Sequence, residues 1–143
     1  MNADARRDPG DSPEPPEASA GQRLPRSARI RQTRDIRHLL RRGKRRKTSH
    51  FDVFFASRED LQQPRFGLIV PKYRHTGVER NLLKRRLRDV ARRELLPRFR
   101  ASGVSIDVMV RARRDAYGAR YRDLKEELVE AAEAICSDPS FWG

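Results

Sequence analysis

Arg80, Lys84, Arg88 and Arg92 recur at every fourth position, with Asn81 and Arg85 alongside, inside the stretch VERNLLKRRLRDVARR. On an α-helix such a row lies along one side, its members about 6 Å apart. That interval is comparable with the spacing of phosphates along a nucleic-acid strand. A guanidinium grips two phosphate oxygens at once, whereas an ammonium acts as a point charge. The chemistry on offer is therefore recognition of a polyanionic backbone. A solvated face of an arginine-rich helix would look similar, but only Glu79, Asp89 and Glu94 oppose seven cations in this region.

The same stretch carries Leu83, Leu87, Val90 and Ala91 in one adjoining sector, which must face a core. Thr76 followed three residues later by Glu79 is a capping box, each side chain satisfying the other's free backbone N–H. Pro97 is expected to end the helix, since helices usually stop just before a proline.

The 143 residues and 36% hydrophobic content fit one domain with a modest core. Net charge is +13, so a surface this basic is expected to meet something anionic, nucleic acid first. The charge is uneven: residues 1–22 carry −3 and the remainder +16. That first stretch, rich in Pro, Ala, Gly, Ser and acids, is expected to be a loose tail. The domain is expected over 23–136, with a loose end over 137–143 that includes Phe141 and Trp142. Cys136 is the only cysteine, which excludes an intrachain disulfide and fits a reducing compartment. No apolar signal region and no membrane-length apolar run occur, so the expectation is a cytoplasmic protein without membrane attachment.

A first helix is predicted after Thr33, with Ile36, Leu39 and Leu40 on one side and Gly43 as its stop. The basic run Lys44 to Lys47 follows. FDVFFAS (residues 51–57) and RFGLIVP (residues 65–71) read as an antiparallel pair of strands joined by a polar connection. Beyond Gly103, Ile106, Val108 and Val110 alternate with Asp107, Met109 and Arg111, the pattern of a half-buried strand. A last helix from Arg120 to about Cys136 aligns Tyr121, Leu124, Leu128, Ala131 and Ile135 on one face. Glu126, Glu127, Glu130 and Glu133 lie on the other, an acidic surface unsuited to RNA.

Few residues favour protein-based catalysis. His38, His50 and His75 are dispersed without partners at telling spacings, and the carboxylates form no paired pattern that would hold Mg²⁺.

With these residues in view, the chain resembles the protein subunit of bacterial ribonuclease P from about Leu24 to Ile135. RQTRDIRHLLRRGKR is similar to that family's first helix and its glycine, FGLIVPK to the strand feeding the long helix, VERNLLKRRLRDVAR to its signature basic helix, and VRARRDAYGARYRDLKEEL to its last strand and helix. The resemblance implies an α+β fold: a two-layer α/β sandwich in α-β-β-β-α-β-α order, ribosomal protein S5 domain 2-like. Its four-stranded mixed sheet would contain a left-handed β-α-β crossover and a short extra strand within residues 44–49.

The resemblance also implies a function. In that family the RNA subunit is the catalyst and, with Mg²⁺ held by RNA and substrate, removes the 5′ leader of precursor tRNA. The protein has no catalytic residue and no metal site. Carried over by position, Arg80, Asn81, Lys84, Arg85, Arg88 and Arg92 would dock on ribonuclease P RNA, and Phe54, Lys72, Ile36 and Leu40 would line the cleft for the precursor tRNA leader. Three features depart from the family pattern. Leu82 stands where a third residue of an Arg-Asn-Arg motif is usual, with Arg86 nearby; Ile36 and Leu40 stand where the first helix usually has two Phe; Pro71 and Tyr73 replace a common Ser and Lys. A structural or chaperone-like RNA-binding protein without a substrate cleft is the competing class. Sequence-specific DNA binding fits poorly, because the leucine-rich core face and flanking strands are unlike a helix-turn-helix, and no DNA partner is expected.

Overall fold

A computed structural model describes residues 24–58 and 63–138. The acidic stretch 1–22 and the pair Phe141 and Trp142, both expected to be loose ends, lie outside the described residues.

Helix α1 (Thr33–Arg42) stops where expected. A Cβ on Gly43 would come within 2.5 Å of the Leu39 carbonyl oxygen and 2.8 Å of its Cδ1, so only glycine lets the chain turn this tightly off the helix. The basic run that follows is strand β1 (Lys44–Lys47), exposed at all four positions. It pairs antiparallel with β2 (Phe51–Ser57), in register from Lys44 opposite Phe55 to Lys47 opposite Asp52. Strand β3 (Arg65–Ile69) and strand β4 (Ile106–Ala112) complete a sheet of order β1-β2-β4-β3.

Two strand expectations need correction. β2 and β3 are not partners: β4 lies between them, antiparallel to β2 and parallel to β3. Nor is β4 half-buried, since Asp107 and Met109 are as enclosed as Ile106, Val108 and Val110. The reason is packing on both sides of the sheet. Ile106, Val108 and Val110 join the main core, and Met109 joins a smaller one with Ile30, Leu39 and Phe54 beneath α1. A strand with apolar side chains on both faces is most stable at the centre of a sheet, covered twice.

The main core lies between the sheet and the long helices. Phe51, Val53, Phe55 and Phe66 meet Leu83, Leu87, Val90 and Ala91 from α2 (Gly77–Val90), which returns the chain from β3 to the parallel β4. Such a connection between parallel strands needs a long crossover.

Pro97 does not end this helix. The chain passes from α2 through a π turn (Ala91–Leu95) into α3 (Leu96–Ala101). Proline lacks a donor, and its ring would collide with the carbonyl four residues earlier in a regular helix. Widening the preceding turn to π spacing relieves that conflict, and Pro97 then falls in the first turn of α3, where no donor is needed. Burial of Leu95, Leu96 and Phe99 holds the continuation in place. The true stop is Gly103 at φ +71°. Gly103 N–H donates to Arg100 O and Val104 N–H to Phe99 O, the paired bonds of a glycine-terminated helix end.

Helix α4 (Tyr121–Cys136) covers the other half of the main core through Leu124, Leu128, Ala131, Ala132 and Ile135. Among the described residues, no helix is long and apolar enough to cross a membrane.

Candidate nucleic-acid interface

The position of α2 is set before its first turn. Tyr73 (φ 49°) and Arg74 (φ 71°) both take left-handed backbone, costing roughly 1–2 kcal/mol each. Contacts to the 3₁₀ turn Arg114–Gly118 and its flanks hold them there. The Arg114 guanidinium sits 5.3 Å from the centre of the Tyr73 ring, and Tyr117 donates its hydroxyl to Pro71 O at 2.6 Å. His75 stacks on Tyr117 with centroids 3.8 Å apart and planes 6° from parallel. The helix then opens with the expected capping box: Glu79 N–H donates to Thr76 Oγ1 at 3.1 Å, and Thr76 N–H to Glu79 Oε1 at 2.8 Å. The Thr76 N–H, then the His75 contact, hold the Glu79 carboxyl below its usual range.

With Leu83, Leu87, Val90 and Ala91 buried, the six predicted docking residues fall on one shoulder of α2 and its continuation. They are not equivalent. Arg85 is exposed, while Arg80, Asn81, Lys84, Arg88 and Arg92 are half-buried. Arg80 Nε donates to Val70 O at 2.6 Å, tying the first ridge member to the end of β3. Its guanidinium keeps further N–H donors for other partners. Arg92 is bound more fully: its Nη2 lies 2.8 Å from Asp89 Oδ1, which also receives Arg93 Nε at 2.9 Å. Tyr121 donates its hydroxyl to the second Asp89 oxygen at 2.7 Å. Burial pushes the Asp89 carboxyl up, but the Tyr121 bond and the two arginines outweigh it and hold it below its ordinary range. Burial and the bond to Asp89 in turn push the Tyr121 hydroxyl up to about 12. The ridge is thus tied to the end of β3 at Arg80 and to the protein's own acid at Arg92, with Arg85 exposed between them.

The four predicted cleft residues divide three to one. Phe54, Ile36 and Leu40 converge in the smaller core beneath α1, whereas Lys72 is exposed in the loop after β3. Phe54 is only 5% exposed, and two guanidiniums approach its ring, Arg45 at 5.8 Å and Arg111 at 5.1 Å. Both are held by Asp52, a buried acid near the start of β2, at 3.0 Å and 3.2 Å. Arg113 Nε, buried without a hydrogen-bond partner, lies 3.6 Å from the same carboxylate. Burial raises the Asp52 carboxyl, yet the bonds from Arg45 and Arg111 and the charge of Arg113 leave it net lowered. The flat surfaces offered beside this patch therefore include guanidinium planes. Sequence reasoning gave Arg45, Arg111 and Asp52 no part in the site. The signal was an aspartate inside FDVFF, since a carboxylate on an enclosed strand needs cations beside it.

A second buried acid organises the other end of the same sheet face. Asp107 receives Arg65 Nε at 2.9 Å and Nη2 at 2.8 Å, and Arg58 Nη1 at 3.0 Å. Arg65 also reaches Asp35 of α1 at 3.4 Å.

The acidic face of α4 is less free than its pattern implied. Glu127 accepts from Thr48 Oγ1 and, at 2.6 Å, from His50 N–H, and its other oxygen lies 2.5 Å from His50 Nδ1. It fastens α4 to the β1–β2 turn. His50 and His75 thus both have carboxylate neighbours, the latter Glu79 at 3.2 Å. Among the described residues no three His, Cys, Asp or Glu side chains are grouped to hold a metal ion.

The fold has counterparts in known proteins. The family model described as Ribonuclease P matches residues 24–136. The ribonuclease P protein component of Syntrophus aciditrophicus is 35% identical over 105 residues, 73% of this chain and 84% of that protein. That of Micrococcus luteus is 36% identical over 117 residues, 76% and 87% of the two chains. Among solved structures, the RNase P protein of Staphylococcus aureus superposes with a TM-score of 0.62 at 22% identity, covering 77% of this chain and 95% of that one. The protein from Thermotoga maritima gives 0.62 at 22% identity, covering 75% and 96%. With a mixed four-stranded sheet, a capped basic helix and a family match across nearly all of the described residues, the chain belongs to the ribonuclease P protein family.

Proposed function

We propose that this chain is the RNA-binding protein subunit of a cytoplasmic ribonuclease P ribonucleoprotein, assisting removal of the 5′ leader from precursor tRNA. The observation that carries the reading is α2 itself: a helix capped at Thr76, fixed by Leu83 and Leu87, and basic along the adjoining shoulder. Ribonuclease P RNA docks there, on Arg80, Asn81, Lys84, Arg85 and Arg88, with Arg92 exchanging part of its bond to Asp89 for phosphate. The catalytic centre lies in the RNA. Mg²⁺ is held by RNA and substrate, while Asp52, Asp89 and Asp107 serve arginines and Glu127 the β1–β2 turn. Positive charge from the protein screens phosphate repulsion between the two RNAs, so that metal ions settle at lower Mg²⁺ concentration.

The leader lies along Lys72 and the sheet face beside Ile36, Leu40 and Phe54. Because Phe54 is covered by Arg45 and Arg111, bases there meet guanidinium planes, which stack and pair with phosphate equally well. The test is reconstitution: with a bacterial ribonuclease P RNA, the protein restores 5′ processing of precursor tRNA in low Mg²⁺, and absence of stimulation with a cognate RNA rejects the proposal. The covered Phe54 also favours a second reading, a structural RNA-binding protein with no leader site. Crosslinking from Lys72 separates them: an adduct that depends on the leader supports the first, and one indifferent to it the second.

A further inference from the structure

We infer that the opposite shoulder of α2 holds a pocket for one unpaired nucleobase of the bound RNA, separate from the phosphate-facing ridge. The inference rests on the RNA-binding reading above. Val78, 80% exposed, and Leu82, 42% exposed, are the exposed large hydrophobic residues of the described chain, and they stand one helical turn apart. Beside them is a cavity of about 170 Å³ lined by His75, Glu79, Leu82, Leu83, Arg86 and Tyr117. At about 100° per residue, Leu82 and Arg86 lie across the buried sector from Lys84 and Arg88, so this is a second site rather than an extension of the first.

The lining has the chemistry of a base site. Leu82 and Leu83 give an apolar wall for a ring face. The stacked His75 and Tyr117 form a rigid aromatic step, fixed by the Tyr117 bond to Pro71 O. Arg86 can donate to ring or carbonyl acceptors, and the Glu79 carboxylate can accept from an exocyclic amine. Charge selects the occupant. An apolar protein segment would have to be buried against Arg86 without bringing an anion, whereas a nucleotide carries a phosphate for Arg86 and a flat apolar face for Leu82.

The two shoulders differ in salt response, which makes the proposal testable with the full chain and ribonuclease P RNA. Leu82→Ala is expected to weaken binding about tenfold at every salt concentration, as loss of one base contact does, leaving the slope of log affinity against log salt unchanged. Leu82→Met is expected to restore affinity, since it keeps the apolar volume. A benzophenone side chain placed at position 82 is expected to crosslink to a single unpaired nucleotide. Wild-type affinity in Leu82→Ala, or adducts confined to paired nucleotides or to a second protein copy, would overturn the pocket while leaving RNA binding intact. Failure of the unaltered chain to bind the RNA would overturn both readings.

Discussion

Arginines line both the ridge of α2 and the uncovered part of the sheet, yet the two regions use them in opposite ways. On the sheet, Asp52 gathers Arg45 and Arg111, and Asp107 gathers Arg58 and Arg65, with each acid almost fully buried. Those guanidiniums first satisfy an acid that the strand would otherwise enclose at a cost of several kcal/mol. Near the end of α2, Asp89 engages Arg92 and Arg93 of the π turn. The cations before it are held in place by the buried leucines between them. Counting charge would treat the two regions alike. What separates them is that a buried carboxylate draws the guanidiniums together on the sheet, whereas on α2 buried leucines space the cations along the helix.

Removing the carboxylates should break the comparison most visibly. Asp107→Ala removes the buried acid that Arg58 and Arg65 share, leaving Arg65 its longer contact to Asp35, and is expected to lower unfolding free energy by about 3 kcal/mol in urea titrations. Arg85→Ala, at the exposed position of the ridge, should by contrast shift it by less than about 0.5 kcal/mol. Loss of the cap sits between them: Thr76→Ala is expected to cost about 1 kcal/mol and to loosen the start of the ridge, visible as faster amide exchange in the first turn of α2.

Acid should sharpen the contrast further. Asp52 and Asp89 are held below their ordinary range in the fold, so their contribution is present above the unfolded value of about 3.9 and fades as pH falls through the lower folded value. Asp52→Asn is therefore expected to be less stable than the parent at neutral pH but to lose stability less steeply below about pH 4. Identical slopes for the two proteins in thermal unfolding would contradict the role given to Asp52.

What could be read from the chain was what neighbours in sequence decide. The Thr76–Glu79 box, the buried sector of α2, the close turn at Gly43 and the apolar face of α4 each depend on residues within a few positions. The insertion of β4 between β2 and β3 was not legible, because Met109 reads as the outward half of an alternation until α1 is known to cover it. Pro97 misled for a related reason: local rules stop a helix there, but burial of Leu95, Leu96 and Phe99 carries it onward through a π turn. The same limit explains the site. Arg80 and Lys84 announce themselves by spacing, whereas Asp52 with Arg111, Glu127 with His50, and Tyr117 with His75 meet only through the fold.

The central claim is that the ridge of α2 neutralises phosphates while the arginines of the sheet hold the protein together. Its most direct test is the affinity for ribonuclease P RNA across a salt series. The Lys84→Ala/Arg88→Ala double variant is expected to lose about 1.5 to 2 units of slope in log affinity against log salt, while Arg58→Ala keeps the parental slope. A double variant with the parental slope, or an equal loss in Arg58→Ala, would contradict the account.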